Sequence, residues 1–178
     1  LGTFNISTAA SFVVAGAGVS VAKHGNRSMT SKSGSADVLT ALGVDITLPP
    51  EKVSECIQNI GIGFMFAPSL HPAMKYAMGA RKALETRTVF NILGPLCNPA
   101  GVKRQLIGIF DGSLTDKVAK VLQRLGSTHA MVVHGNEGLD EISTTDDTKY
   151  TELTSDGTIK SGTLAPSSFG FTTTDLES

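Results

Sequence analysis

The sequence predicts an α/β protein with a mostly parallel central sheet flanked by helices and a small β-rich edge. Three observations lead to that expectation. Short apolar runs at residues 19–22, 62–67, 104–110 and 131–134 alternate with longer segments of helical period, as in crossover-linked parallel strands. Glycine or proline marks many of the joins, as at Gly16, Gly43, Pro49, Gly61 and Gly126. Beyond residue 143 the composition shifts to Thr, Ser, Asp and Gly, and Asp156-Gly157 ahead of Thr158-Ile159-Lys160 signals a hairpin on one edge.

Ser7 and Thr8 precede a short apolar helical run, residues 9–15, that stops at Gly16 and Gly18. Residues 19–22 read as a buried strand and residues 23–33 as a polar loop. Helical period resumes from Ser35 to Leu42, before Gly43. Pro49 and Pro50 suit a helix start, with Val53, Cys56, Ile57 and Ile60 on one face up to Gly61. A strand at 62–67 follows, then a helix from Pro72 to about Leu84, and a strand at 104–110. Ser113 with Asp116 three residues on resembles a capping box for a helix ending at Gly126, and residues 131–134 form a further strand.

A chain of 178 residues, 40% hydrophobic and 17% charged, has the profile of one globular domain with a real core, without internal repeats. Its net charge of −1, from 15 basic and 16 acidic side chains, supplies no general field for nucleic acid or a membrane surface, so anion binding has to be local. Cys56 and Cys97 have no neighbouring Cys or His at metal-ligand spacing and are too few for a disulfide framework, which fits a cytoplasmic protein. The apolar stretch 9–22 is broken by Ser11 and Ser20 and falls short of the roughly 18 residues of a membrane span. It lacks the basic leader of a signal peptide, and the first residue is Leu rather than Met.

Three places carry chemistry. Asn5, Ile6, Ser7 and Thr8 open a helix whose positive end can hold a phosphate, although ordinary capping uses the same residues. Lys23, His24, Gly25, Asn26, Arg27, Ser28, Met29, Thr30, Ser31, Lys32, Ser33, Gly34 and Ser35 follow a buried strand, where open α/β sheets place ligands. Cations, hydroxyls and glycines make that stretch a phosphate cradle or, failing that, a solvated basic loop, and it lacks the nucleotide P-loop pattern. Asp140 and Glu141, leaving the strand at 131–134 through a glycine-containing loop, are either surface charges or a seat for a hard cation such as Mg²⁺. Arg81 sits on a predicted helix, where an arginine is solvated, paired with Glu85, or available for a bidentate grip on a carboxylate. His24, His71, His129 and His134 show no metal-ligand spacing.

Four segments in this order resemble the anthranilate phosphoribosyltransferase family. They are Thr3-Phe4-Asn5-Ile6-Ser7-Thr8; Lys23 to Arg27 with Ser33-Gly34-Ser35-Ala36-Asp37-Val38-Leu39; Asn91-Ile92-Leu93-Gly94-Pro95-Leu96 with Asn98-Pro99; and His134-Gly135 with Leu139-Asp140-Glu141. The resemblance implies transfer of a phosphoribosyl group from phosphoribosyl pyrophosphate to the amine of anthranilate in tryptophan biosynthesis, with Mg²⁺ as cofactor and no side-chain nucleophile. It implies that Thr3, Asn5, Ile6, Ser7, Thr8, Lys23, His24, Gly25, Asn26, Arg27, Ser28, Met29, Thr30, Ser31 and Ser35 meet phosphoribosyl pyrophosphate. Asn26 and Arg81 would meet anthranilate, and Ser7, Asp140 and Glu141 the metal. Family members also carry a Gly-Thr-Gly-Gly-Asp loop just before the position of Leu1, an amino-terminal helical domain used in homodimerisation, and further helices beyond Ser178. Residues 1–178 are therefore expected to be a partial catalytic domain with little or no activity alone, exposing apolar surface. The nearest enzymatic alternative is a pyrimidine-nucleoside phosphorylase. A non-catalytic nucleic-acid-binding relative would show a basic stripe, which the near-neutral charge speaks against.

Overall fold

The structure is a computed structural model. It describes residues 4–28, 33–84, 86 and 88–173, with the side chains of Met78, Arg81 and Lys82 outside the description. The chain forms two compact units, residues 2–100 and residues 101–178. It has the α/β character its sequence predicts, with parallel strands in both units and an antiparallel edge in the second.

In the first unit α1 (Ile6–Gly16) leads to β1 (Val21–Gly25), then α2 (Ser35–Ala41), α3 (Pro50–Ile60) and β2 (Ile62–Phe66). β1 and β2 pair in parallel from Val21↔Ile62 to Gly25↔Phe66. That pairing carries β1 further than its apolar run, so Lys23, His24 and Gly25 lie in a strand rather than a loop. α1 starts earlier than expected, placing Ser7 and Thr8 inside its first turn with Asn5 at the N-cap position. Neither hydroxyl caps the helix, because the Thr8 hydroxyl donates to Ser35 Oγ at 3.1 Å and Ser7 Oγ accepts from Lys23.

α3 begins at the proline pair and ends at Gly61, whose φ of 80° closes the helix in the left-handed region that glycine enters without strain. Its inner face packs on β2 so closely at Gly63 that a Cβ there would lie 2.6 Å from Ile57 Cγ1. Ala36, Leu39 and Ile46 form the buried centre of this unit, with Phe64 and Phe66 against them. The helix expected from Pro72 to about Leu84 is a 3₁₀ turn at Pro72–Met74 followed by α5 (Lys75–Leu84), and a short α4 (Ala67–Leu70) precedes it. α6 (Phe90–Leu96) contains Pro95 and was not legible as a helix.

The second unit runs β3 (Arg104–Gly108), α7 (Thr115–Arg124), β4 (His129–Gly135), β5 (Thr148–Leu153) and β6 (Ile159–Leu164), in one sheet of order β3-β4-β5-β6. β3 pairs with β4 in parallel, across the α7 connection, while β4-β5 and β5-β6 are antiparallel, so the expected hairpin edge is present. The helix start differs in detail from a Ser113 capping box. Asp111 accepts from Ser113 N–H at 2.9 Å and from the Ser113 hydroxyl at 2.7 Å, ahead of a 3₁₀ turn at Gly112–Leu114. Val118, Ala119 and Leu122 of α7 and Ile107, Val132, Val133 and Leu153 of the sheet are among the buried apolar side chains of this unit. Among the described residues no helix is long and apolar enough to cross a membrane.

Candidate functional site

The carboxyl end of β1 brings the first two sequence-derived stretches together. Lys23, on that strand, extends its ammonium to Ser7 Oγ at 3.2 Å, in the first turn of α1. The Asn5 amide reaches the Ser33 carbonyl at 3.5 Å, and Thr8 meets Ser35 at the start of α2. Two helix amino termini, both carrying hydroxyls, therefore meet at one strand end beside a cation. Amino-terminal N–H groups carry partial positive charge, so this is a place suited to an anion rich in oxygen acceptors.

The strand exit is fixed by backbone contact. Asn26 C=O accepts from Ala36 N–H at 3.2 Å, and the Asn26 side chain accepts from Arg27 N–H at 2.8 Å. Gly34 passes so near that a Cβ would fall 2.4 Å from Ser28 N and 2.8 Å from Asn26 O, which leaves room for glycine alone. Asp37 then clamps both arms. It accepts from Gly34 N–H at 2.8 Å, Ser28 N–H at 3.1 Å and the Arg27 guanidinium at 2.8 Å. The amides of Gly34 and Ser28, followed by Arg27, hold its carboxyl below the usual carboxylate range. Asp37 was not among the site residues the sequence nominated, although it stands three places into α2 after Gly34, the N3 position at which an acidic side chain returns to the N-cap amide.

His24 faces inward. Its Nε2 lies 3.2 Å from Nε2 of His71 with the rings edge to face. Burial, then the charge of His71, pushes its pKa below 6.5 against a hydrogen bond to the Gly94 carbonyl. Asn98 also supports the strand, its amide donating to Ala22 C=O at 3.1 Å. Thr3, Met29, Thr30 and Ser31 lie outside the described residues, as does the side chain of Arg81 on α5.

Asp140 and Glu141 belong to the second unit, in the segment between β4 and β5. The Asp140 carbonyl rests on Gly108 of β3, where a Cβ would fall 1.5 Å from it. Asp140 is exposed and Glu141 half-buried. Among the described residues no three His, Cys, Asp or Glu side chains gather into a metal cage. The pair fits an open Mg²⁺ site, in which one or two carboxylates bind and water and substrate oxygens complete the shell.

The sequence pattern of the glycosyl transferase family, α/β domain, matches residues 1–178. The chain belongs to this family. Among curated glycosyl transferases, anthranilate phosphoribosyltransferase of Afipia carboxidovorans is 58% identical over 97% of this chain and 51% of its own length. The crystal structure of anthranilate phosphoribosyltransferase from Thermus thermophilus superposes with a TM-score of 0.89 at 43% identity, covering 99% of this chain and 52% of that one. The Saccharomyces cerevisiae enzyme, solved in complex with phosphoribosyl pyrophosphate and Mg, gives 0.88 at 33% identity, covering 98% and 48%. The chain thus spans about half the length of the curated relatives it matches.

Proposed function

We propose that the protein carrying this glycosyl transferase chain moves the phosphoribosyl group of phosphoribosyl pyrophosphate onto the amine of anthranilate. The observation that carries the proposal is the meeting of the α1 and α2 amino termini with Lys23 at the carboxyl end of β1. Relatives named for this reaction, one of them solved with phosphoribosyl pyrophosphate and Mg, supply the substrate pair. Asn5, Ile6, Ser7, Thr8, Lys23, His24, Gly25, Asn26, Arg27, Ser28 and Ser35, with Thr3, Met29, Thr30 and Ser31, are the residues proposed to hold the phosphoribosyl donor. Asn26 and Arg81 are proposed to receive anthranilate.

The amine lone pair forms the new C–N bond at the anomeric carbon while the C–O bond to pyrophosphate breaks. The electron pair leaves on pyrophosphate, configuration inverts, and the nitrogen gives up a proton to solvent. An aromatic amine is nucleophilic while neutral, so the residues contribute positioning and charge complementarity rather than a strong base. Lys23 and the amino-terminal amides offset charge on the donor, and Asp37 keeps Arg27 and the Asn26–Ser28 exit in one arrangement. Asp140 and Glu141 in the second unit, and Ser7 in the first, are each proposed as ligands of Mg²⁺, which when bound neutralises charge on the departing pyrophosphate.

The test is the loss of anthranilate fluorescence when full-length protein receives phosphoribosyl pyrophosphate and Mg²⁺. Turnover that disappears when Asp140 and Glu141 are both changed to Ala supports the proposal. An inactive full-length protein that instead cleaves thymidine in phosphate overturns it.

A further inference from the structure

β4 ends at Gly135 in a tight turn. Gly135 N–H donates to Leu139 C=O at 2.8 Å and Gly138 N–H to Gly135 C=O at 2.8 Å, with Gly138 at φ 100°. The turn sends the Glu137 side chain across to the residues that follow the acidic pair. Its Oε1 accepts from the hydroxyl of Ser143 and, at 2.8 Å, from that of Thr145. Ser143 is itself a knot. Its Oγ accepts from Thr145 N–H at 3.0 Å and Asp146 N–H at 3.1 Å, and its N–H donates at 2.8 Å to Thr148 Oγ1 on β5.

Asp140, Glu141 and Ile142 therefore span two fixed points, Leu139 and Ser143, both tied to the same turn. Gly108 supports the span from β3 through the Asp140 carbonyl. The other carboxylate oxygen of Glu137, Oε2, is buried without a hydrogen-bond partner among the described residues. An unsatisfied buried acceptor carries a desolvation cost. A loop with no geometric task would shed that cost by turning the side chain out to water.

We infer that Glu137 is a positioning residue that sets the Asp140–Glu141 pair for a divalent cation, acting through Ser143. The inference rests on the proposed metal role of that pair. Groups that hold metal ligands in place matter because a carboxylate free to wander loses entropy on each binding event, and their loss typically weakens metal affinity about 10- to 100-fold.

The experiment titrates Mn²⁺ alone into full-length protein and reads free Mn²⁺ by electron paramagnetic resonance. Glu137→Ala and Ser143→Ala are expected to raise the Kd by about 10- to 100-fold. Glu137→Gln, which keeps an acceptor oxygen for both hydroxyls, is expected to stay near wild type. Val132→Ala, a cavity in the core of the same sheet, serves as a stability control and is expected to leave the Kd unchanged. Wild-type affinity in Glu137→Ala, with binding lost in the Asp140→Ala, Glu141→Ala double variant, overturns the positioning role and leaves the metal reading standing. Equal weakening by Val132→Ala also overturns it, as a general stability effect. No Mn²⁺ binding by the wild type, or undiminished binding by the double variant, sinks the metal reading and this inference with it.

Discussion

Asp37 joins three donors that come from both sides of one loop, and its charge matters for each. Asp37→Asn keeps the shape but weakens the hold on Arg27, so the KM for phosphoribosyl pyrophosphate in the full-length protein is expected to rise severalfold with helical content unchanged. The amides of Gly34 and Ser28 and then Arg27 hold the Asp37 carboxyl below its ordinary 3.8. Its contribution to stability is thus present above pH 3.8 and lost as pH falls through the lower folded value, because the unfolded chain takes up the proton first. Urea midpoints between pH 5 and 3 should fall less steeply in Asp37→Asn than in the wild type. His24 works in a higher window. Burial and then His71 push its pKa below 6.5, so as pH drops beneath 6.5 the unfolded chain gains a proton that the native one resists. Stability is expected to decline from pH 7.5 to 5.5, and His24→Gln should flatten that slope.

Close packing of α3 on β2 makes Gly63 the sensitive point of the first unit. A Cβ there meets Ile57 at 2.6 Å and Val53 at 2.9 Å, so Gly63→Ala is expected to cost about 1–3 kcal/mol, read from denaturant midpoints. In the second unit Leu122 of α7 is fully buried, and Leu122→Ala should cost about 2–5 kcal/mol. α2 and α3 were legible because their ends are written locally, at Gly43 and from Pro50 to Gly61. β1 begins two residues and ends three residues later than its apolar run at 19–22, because its extent is decided by β2, a partner far along the chain. α6 was hidden by Gly94 and Pro95, which read as breakers. The cations and hydroxyls around Lys23 and Arg27 and the Asp140–Glu141 pair, the residues proposed for phosphate and metal, stand out for a related reason: residue type after a strand is a local signal. Asp37 had one local signal, its N3 place after Gly34, but its bonds to Ser28 and Arg27, like the contacts of Glu137 and His71, reach other segments that no spacing announces.

Each unit closes a core of its own, yet both also present large apolar side chains to solvent, the first at four positions among others. Phe4, Val13, Val19 and Ile60 are all more than half exposed, at 72%, 73%, 57% and 69%. Exposed apolar surface of this kind binds hydrophobic probes, so residues 1–178 are expected to enhance anilinonaphthalene sulfonate fluorescence. Val13→Ser together with Val19→Ser should lower the signal, and an unchanged signal would place the probe elsewhere. The two strand-pairing styles also set an order of events in time. β5 and β6 are joined by a short turn at Ser155-Asp156-Gly157, whereas β1 can find β2 only after α2 and α3 have been threaded between them. Closing the longer loop loses more chain entropy before any contact compensates, which slows the search. In pulse-labelled refolding of the full-length protein, amides of the β4-β5-β6 meander should gain protection before those of β1 and β2. The carboxyl-terminal edge would then be the seed of the second unit, and the strand exit at the end of β1, proposed to hold the phosphoribosyl donor, would be among the last features of the chain to take shape.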